Sequence, residues 1–204
     1  MAAHQHINKT DLLLEFAKER PLLLARELRE AGISHSTLSA VMASGQIERV
    51  SRGVYRHVDA SWDEHLHLSE VAARVPKAVI VLVSALNYHQ IGTHQAHRVW
   101  IQLKQNAVTP RIDYPAIEVI RTRNDWAFTK GVEIHDLNGI EVSITNSART
   151  VADCFKHRSK LGLDLCLEAL REVLGSGTKP SEILSYARLN RVENIMIPYL
   201  QTLS

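Results

Sequence analysis

Apolar positions at the start of the chain recur with a helical period. Leu12, Leu13 and Phe16 fall on one face of a helix expected from about Lys9 to Lys18. Pro21 opens a new segment, and Leu24, Leu28 and Ala31 line one side of a second helix that Gly32 stops. Ser34 is placed to N-cap a third helix, His35 to Ser44, with Leu38, Val41 and Met42 as its apolar stripe and Gly45 at its end. Two short extended pieces follow, Ile47 to Ser51 and Val54 to His57, joined at Arg52-Gly53, where glycine permits the positive φ of a tight hairpin.

Beyond a linker at Asp59 to Asp63, a helix is expected from about Trp62 to Arg74, ending before Pro76. The run Ala78 to Val83 fits either a buried strand or the start of a helix. Ser84 is a candidate cap for a short helix through His89. Strands are expected at Arg98 to Leu103, Ala116 to Arg121, Val132 to Asp136 and Ile140 to Thr145, the last two joined by the hairpin signal Asn138-Gly139. Helical patterns return at Ser147 to His157, Leu163 to Leu174, Ser181 to Leu189 and Val192 to Leu203. Strands followed by helices, without regular alternation, give an α+β class. The expected division is 1–60 and 61–204, a winged helix-turn-helix followed by a mixed α+β domain ending in helices.

Residues Ala25 to Arg56 carry the helix-turn-helix layout: helix, Gly32-Ile33-Ser34 turn, helix, hairpin. Such a turn sets two helices at a steep angle, so that the second enters the major groove while the first braces it. At about 100° per residue, Ser36, Ser39, Ala40 and Ala43 point away from the apolar stripe. Arg49, Arg52 and Arg56 form a cationic rim on the hairpin, suited to phosphates or a narrow minor groove. The expected DNA-binding set is Ser34, His35, Ser36, Thr37, Ser39, Ala40, Arg49, Arg52 and Arg56. The helix face lacks Arg, Lys, Asn and Gln, so bidentate base contacts cannot come from it. Specificity then leans on His35, Thr37, the wing arginines and DNA shape. The competing structural reading is a trihelical domain with a solvated hairpin.

The chain has 204 residues, a formal net charge of +2, 45% hydrophobic and 23% charged residues. That balance supports a packed core and excludes a disordered or collagenous chain. So small a net charge does not itself indicate nucleic acid; only a local basic surface would. The two cysteines, Cys154 and Cys166, form no CxxC or disulfide framework, which suits a reducing cytoplasm. The opening MAAHQHINKT lacks a basic segment followed by an apolar run, so no signal peptide is expected, and no apolar stretch is long enough to span a bilayer. The expectation is a cytoplasmic protein without membrane association.

The run LARELREAGISHSTLSAVMASGQIERVSRGVYRHVDA resembles the N-terminal domain of AbiEi-type antitoxins, with its G-I-S turn, T-L pair and R-G-V-Y wing. SALNYHQIG, RVWIQL and above all GIEVSITNSARTVADCFKHRSKLGLDLCLEALRE resemble that family's C-terminal domain. The resemblance covers nearly the whole chain. It implies an antitoxin of a type IV toxin-antitoxin system, acting in abortive infection and phage defence. Through the winged helix it would repress its own operon at inverted repeats in operator DNA. The C-terminal domain would counteract a nucleotidyltransferase-type toxin, with no stable complex required. The alternatives are a module that docks directly onto a partner toxin, or a winged-helix regulator without one.

Other constellations have plainer readings. Thr145 or Ser147 is placed to N-cap the helix that follows. Arg149, Lys156, Arg158 and Lys160 make a candidate basic surface of the antitoxin domain, and Arg149 with Asp153 fits a modest exposed i, i+4 pair. Among eleven histidines, His65 and His67 point to different faces of one helix and His4 and His6 lie near the terminus. His89, His94 and His97 would converge only if a loop folded back, so no metal or other cofactor is expected. Cys154 stands three residues before His157, but its position beside Val151 fits a core residue better than a nucleophile. Asp164, Glu168 and Glu172 fit the solvated face of a helix whose apolar stripe is Leu163, Leu167, Leu170 and Leu174. No GxSxG, P-loop or HExxH motif is present, and no clustered carboxylates suggest a nuclease, so no enzyme is expected.

Overall fold

The computed structural model describes residues 8–60 and 65–203. The expected helix start at Trp62, the linker end at Asp63, and His4 and His6 lie outside the described residues. The fold is α+β, and the chain forms two compact units: Met1–Arg74 with Asp136–Glu141, and Val75–His135 with Val142–Ser204.

The first unit begins with α1 (Lys9–Glu19), whose Asn8 side chain accepts a hydrogen bond from the Thr10 amide. The short strand β1 (Leu23–Leu24) leads into α2 (Ala25–Glu30), and α3 (His35–Ala43) follows the Gly32 turn. The wing is β2 (Ile47–Ser51) and β3 (Val54–His57). A three-stranded sheet in the order β1-β3-β2 results, with Leu23 opposite Tyr55 and Arg49 opposite Tyr55 on the other side. Two residues of strand carry no periodicity, so β1 escaped the sequence pattern. Leu13, Ala17, Leu28, Ile33, Leu38, Val41, Ile47 and Tyr55 form one buried cluster beneath the helices and sheet. After the wing comes α4 (Leu66–Arg74).

The second unit resolves the ambiguity at Ala78 to Val83 by using both conformations. β4 (Val79–Ile80) is extended, and α5 (Leu82–Tyr88) starts directly after Val81. The switch occurs at Leu82, whose φ of 51° lies in the left-handed region that bulky residues rarely occupy. Ser84 is not the cap expected for this helix. It sits inside α5, and its hydroxyl accepts from the Trp100 amide at 2.9 Å.

β5 (Val99–Lys104), β6 (Ile117–Thr122), β7 (Val132–Leu137) and β8 (Ile140–Thr145) complete a sheet in the order β6-β5-β4-β8-β7. β5 runs parallel to β6 and antiparallel to β4, while β4 runs parallel to β8. Helices α6 (Ser147–Lys156), α7 (Arg158–Leu161), α8 (Leu163–Gly175), α9 (Pro180–Asn190) and α10 (Glu193–Leu203) follow. α6 packs against α5, α8 and α9, with Val151, Ala152, Cys154 and Phe155 fully buried. Leu165, Cys166, Ala169, Leu170 and Val173 form the inward face of α8, while Leu163 is exposed. Of the expected stripe Leu163, Leu167, Leu170 and Leu174, Leu170 is fully buried, Leu167 and Leu174 pack partly against the core and Leu163 is exposed, because a helix packed on several neighbours buries a broader arc than one i, i+4 row.

Burial biases two histidines of this unit toward the neutral form. His89 directs Nε2 to the Thr145 carbonyl at 2.7 Å, and desolvation lowers its pKa below the ordinary 6.5. Desolvation lowers that of His157 as well, against the opposing pull of Asp153. Both imidazoles bind a proton less readily in the folded than in the unfolded chain. Their contribution is therefore fully present above about pH 6.5 and is lost as pH falls through their folded-state values. Replacing both by Gln should shrink the loss of melting temperature between about pH 7.5 and about pH 5. Thermal unfolding followed by circular dichroism checks this; an unchanged pH dependence would contradict it.

Candidate nucleic-acid interface

The turn between α2 and α3 is built from local chemistry. Gly32, with φ of +74°, ends α2 in a conformation that disfavours a Cβ. Its neighbour Ile33 is buried, and its amide bonds to the Leu28 carbonyl at 2.8 Å. Ser34 is extended, and its Oγ accepts from the Thr37 amide at 3.1 Å, satisfying one of the free donors of α3. The same Oγ lies 2.7 Å from Ser36 Oγ and 2.9 Å from Thr37 Oγ1. A second contact steadies the turn: Lys9 Nζ donates to the Ala31 carbonyl at 3.2 Å.

Leu38 and Val41 turn α3 inward, and the rest of its surface faces out. His35, Ser36, Ser39, Ala40 and Ala43 are exposed, and Thr37 is half-buried. His35 Nδ1 lies 3.3 Å from Ser39 Oγ. Apart from Thr37 the expected face is exposed, and it carries no lysine, arginine, aspartate or glutamate.

The wing arginines diverge. Arg49 and Arg52 are exposed, and Arg49 Nε donates to the Ser51 carbonyl at 3.2 Å. Arg56, expected on the rim, is instead 9% exposed and pairs through Nε with Glu48 across the β2–β3 ladder. The cross-strand register sets Glu48 opposite Arg56, and closeness of the arginines in sequence does not reveal that partner. Gly53, at φ +80°, makes the wing turn, and its carbonyl accepts from the Ala25 amide at 2.9 Å. The wing tip is thus tied to the first residue of α2. Arg26 and Arg29 on that helix are exposed cations that the hairpin-centred reading passed over. The signal available for them was their place on the bracing helix.

The basic set on the second unit does not form one surface. Arg149 is fully buried, and the exposed ion pair expected there is an interior one. Its Nε donates to Asp153 at 3.3 Å, its Nη1 to the Lys130 carbonyl at 2.7 Å, and its guanidinium lies 5.4 Å from the Trp126 ring. Asn190 donates to the second Asp153 oxygen at 2.6 Å and accepts from Lys156 Nζ at 3.2 Å. The cap of α6 is Asn146, not Thr145 or Ser147; Thr145 is buried, its hydroxyl 2.7 Å from that of Thr150. Arg158 is half-buried and donates to the Phe155 carbonyl at 3.0 Å. Lys156 and Lys160 are exposed, and Lys160 pairs with Glu118 at 2.5 Å above the Trp100 ring.

Glu168 and Glu172 were expected as a merely solvated face. They instead hold the segment after α5: Glu172 accepts from the Gly92 amide at 2.7 Å and Glu168 from the Thr93 amide at 3.0 Å. His94 Nδ1 lies 3.1 Å from Glu168, whose pKa is lowered chiefly by the Thr93 hydroxyl bond. Cys154 is fully buried, and desolvation pushes its thiol well above the ordinary value, while burial pushes Cys166 up to about 11. Neither is a thiolate nucleophile near neutral pH. Among the described residues no His, Cys, Asp and Glu side chains gather as a metal-ligand set, and no helix is long and apolar enough to cross a membrane.

Two helices at a glycine turn, the second exposed beside an arginine-bearing hairpin, make the first unit a winged helix-turn-helix. Residues 11–57 match the family described as transcriptional regulator, AbiEi antitoxin. No curated protein sequence matches the chain. Among solved structures, the RV2827C protein from Mycobacterium tuberculosis aligns with a TM-score of 0.45 and 15% identity, covering 87% of this chain and 79% of that one.

Arg149→Ala would strand the Asp153 carboxylate in the interior and should cost about 3–5 kcal/mol. Arg158→Ala should cost under about 1.5 kcal/mol, one partly exposed hydrogen bond. Urea unfolding of the two variants checks the contrast; equal, small losses would place Arg149 in solvent.

Proposed function

We propose that the chain is a DNA-binding repressor of its own operon and the antitoxin of a type IV system. Residues 1–60 would bind inverted repeats, and residues 61–204 would counteract a nucleotidyltransferase-type toxin, with no stable complex required. The observation that carries the DNA reading is the joint exposure of the outer α3 face and of Arg49 and Arg52, within a segment that matches a regulator family. On this reading α3 lies in the major groove, with Ser34, His35, Ser36, Thr37, Ser39 and Ala40 nearest the bases. Arg26 and Arg49 hold phosphates on either side of the tie between Ala25 and Gly53. Arg56 serves the wing's own structure. The antidote reading rests on the likeness of the SARTVADCFKHR segment to the family's C-terminal domain.

The test is a salt titration of the full chain on duplex DNA from upstream of its gene. Each phosphate contact contributes about 0.9 unit to the slope of log affinity against log salt. The variant Arg26→Ala with Arg49→Ala should lower that slope by about two units. An unchanged slope and affinity would reject the assignment. Co-expression with a neighbouring nucleotidyltransferase tests the second half. Wild type and the same double variant should both restore growth, since neutralisation is assigned to the other unit. Loss of rescue in the double variant would contradict that division of labour.

A further inference from the structure

The second unit holds a small cleft that the proposed function leaves unused. Strands β5 and β6, Trp126 and Ala127, and helices α6 and α9 enclose a cavity of about 40 Å³. That is about three times the space one water molecule requires. Its polar wall is Asp153, Lys156 and His157 of α6, Asn190 of α9, Gln102 of β5 and Thr122 of β6.

The charges around this cavity are unequally spent. Asp153 is its one carboxylate, and both oxygens are occupied, one by Arg149 Nε at 3.3 Å and one by Asn190 Nδ2 at 2.6 Å. Arg149 cancels that charge. Lys156 keeps its own, because its ammonium donates to the neutral Asn190 amide oxygen, at 3.2 Å, and not to a carboxylate. Arg121 also borders the cavity, with its guanidinium turned to the Lys104 and Ala107 carbonyls. The balance is cationic. A donor is left over behind the wall as well: Arg149 Nη2 is buried and has no hydrogen-bond partner among the described residues. Nε and Nη2 of a planar guanidinium open to the same side. This nitrogen therefore faces the side that Asp153 occupies, and Trp126, whose ring lies 5.4 Å from the guanidinium, is another wall of the cavity. Buried donors are matched in native structures, so an orphan calls for a bound water or ion.

We propose that this cleft binds a phosphate-sized oxyanion, either free or as the phosphoryl end of a small phosphomonoester. Lys156 Nζ holds it by a charge-assisted hydrogen bond, and the unspent arm of Arg149 adds positive charge behind Asp153. A metal cation does not suit the site, since its one carboxylate is already committed and an ammonium stands beside it. An apolar ligand would strand the polar wall without partners. His157 reports on the occupant. Its pKa is lowered first by desolvation and further by Lys156 and Lys160, against the pull of Asp153. An anion in the cleft opposes that lowering by favouring the imidazolium.

The experiment is calorimetric titration of the full chain with inorganic phosphate near neutral pH, at an ionic strength held constant with sodium chloride. A single saturable site per chain is expected. Lys156→Gln, at an exposed position, should weaken binding by about tenfold or more, the scale of one charge-assisted hydrogen bond. Arg171→Gln removes an exposed cation outside the cleft and should change the affinity by less than about twofold. Saturation with phosphate should also raise the pKa of His157, followed through its ring proton by NMR and assigned with His157→Gln. A purely structural role for Lys156 would not move that titration. Methyl phosphate separates the two sources: binding as tight as that of phosphate assigns a phosphomonoester, and failure to bind assigns the free ion. Absence of a saturable site, an affinity indifferent to Lys156→Gln, or a His157 titration unmoved by phosphate would overturn the proposal and leave the cleft to water. None of these outcomes bears on the DNA reading, which rests on the other unit.

Discussion

The one-sided anchoring of α3 is the constraint on which the interface depends. Leu38 and Val41 are buried among Leu13, Leu28, Ile33 and Ile47. Each such burial is worth about 1.5–3 kcal/mol. With those two positions fixed, helical geometry leaves Ser36, Ser39, Ala40 and Ala43 facing out. The Ser34 cap sets where the helix begins, and β1 holds the wing beside it through Tyr55 and Val54. An exposed helix face and an exposed arginine turn are thereby presented by one small core. On the proposed reading the electrostatic work falls to the flanking Arg26, Arg49 and Arg52, because α3 carries no lysine or arginine.

The second unit handles polarity in the opposite way. α6 carries Arg149, Thr150 and Asp153 into its interior, and each finds a partner there. A buried pair of this kind contributes little net stability over apolar packing, yet removal of one member is costly. Its reach is what matters: Arg149 joins α6 to the Lys130 carbonyl, and Asp153 joins it to Asn190 on α9. A cationic face on this unit is reduced to Lys156, Arg158 and Lys160, each already engaged by a neighbour.

Much of this was legible in the sequence because it is local. The Gly32-Ile33-Ser34 turn, both wing strands and the Asn138-Gly139 hairpin lie where turn chemistry and periodicity place them. Most helix ends fall within a residue or two of expectation. What was not legible depends on a partner distant in the chain or in register. β1 exists only because β3 lies beside it. Arg56 is withdrawn by Glu48 across the ladder, and Arg149 by the carbonyl of Lys130, while the pattern of a lone hairpin and of a lone helix makes each look solvated. Glu168 and Glu172 were misjudged for the same reason, since their partners are the amides of residues 92 and 93.

Hydrogen-deuterium exchange of the full chain, with and without duplex DNA from upstream of its gene, addresses the central claim most directly. Slowed exchange concentrated in 34–43 and at the wing turn around Arg52-Gly53 is the expected result. Protection absent there, with slowed exchange only in 142–203, would contradict the account.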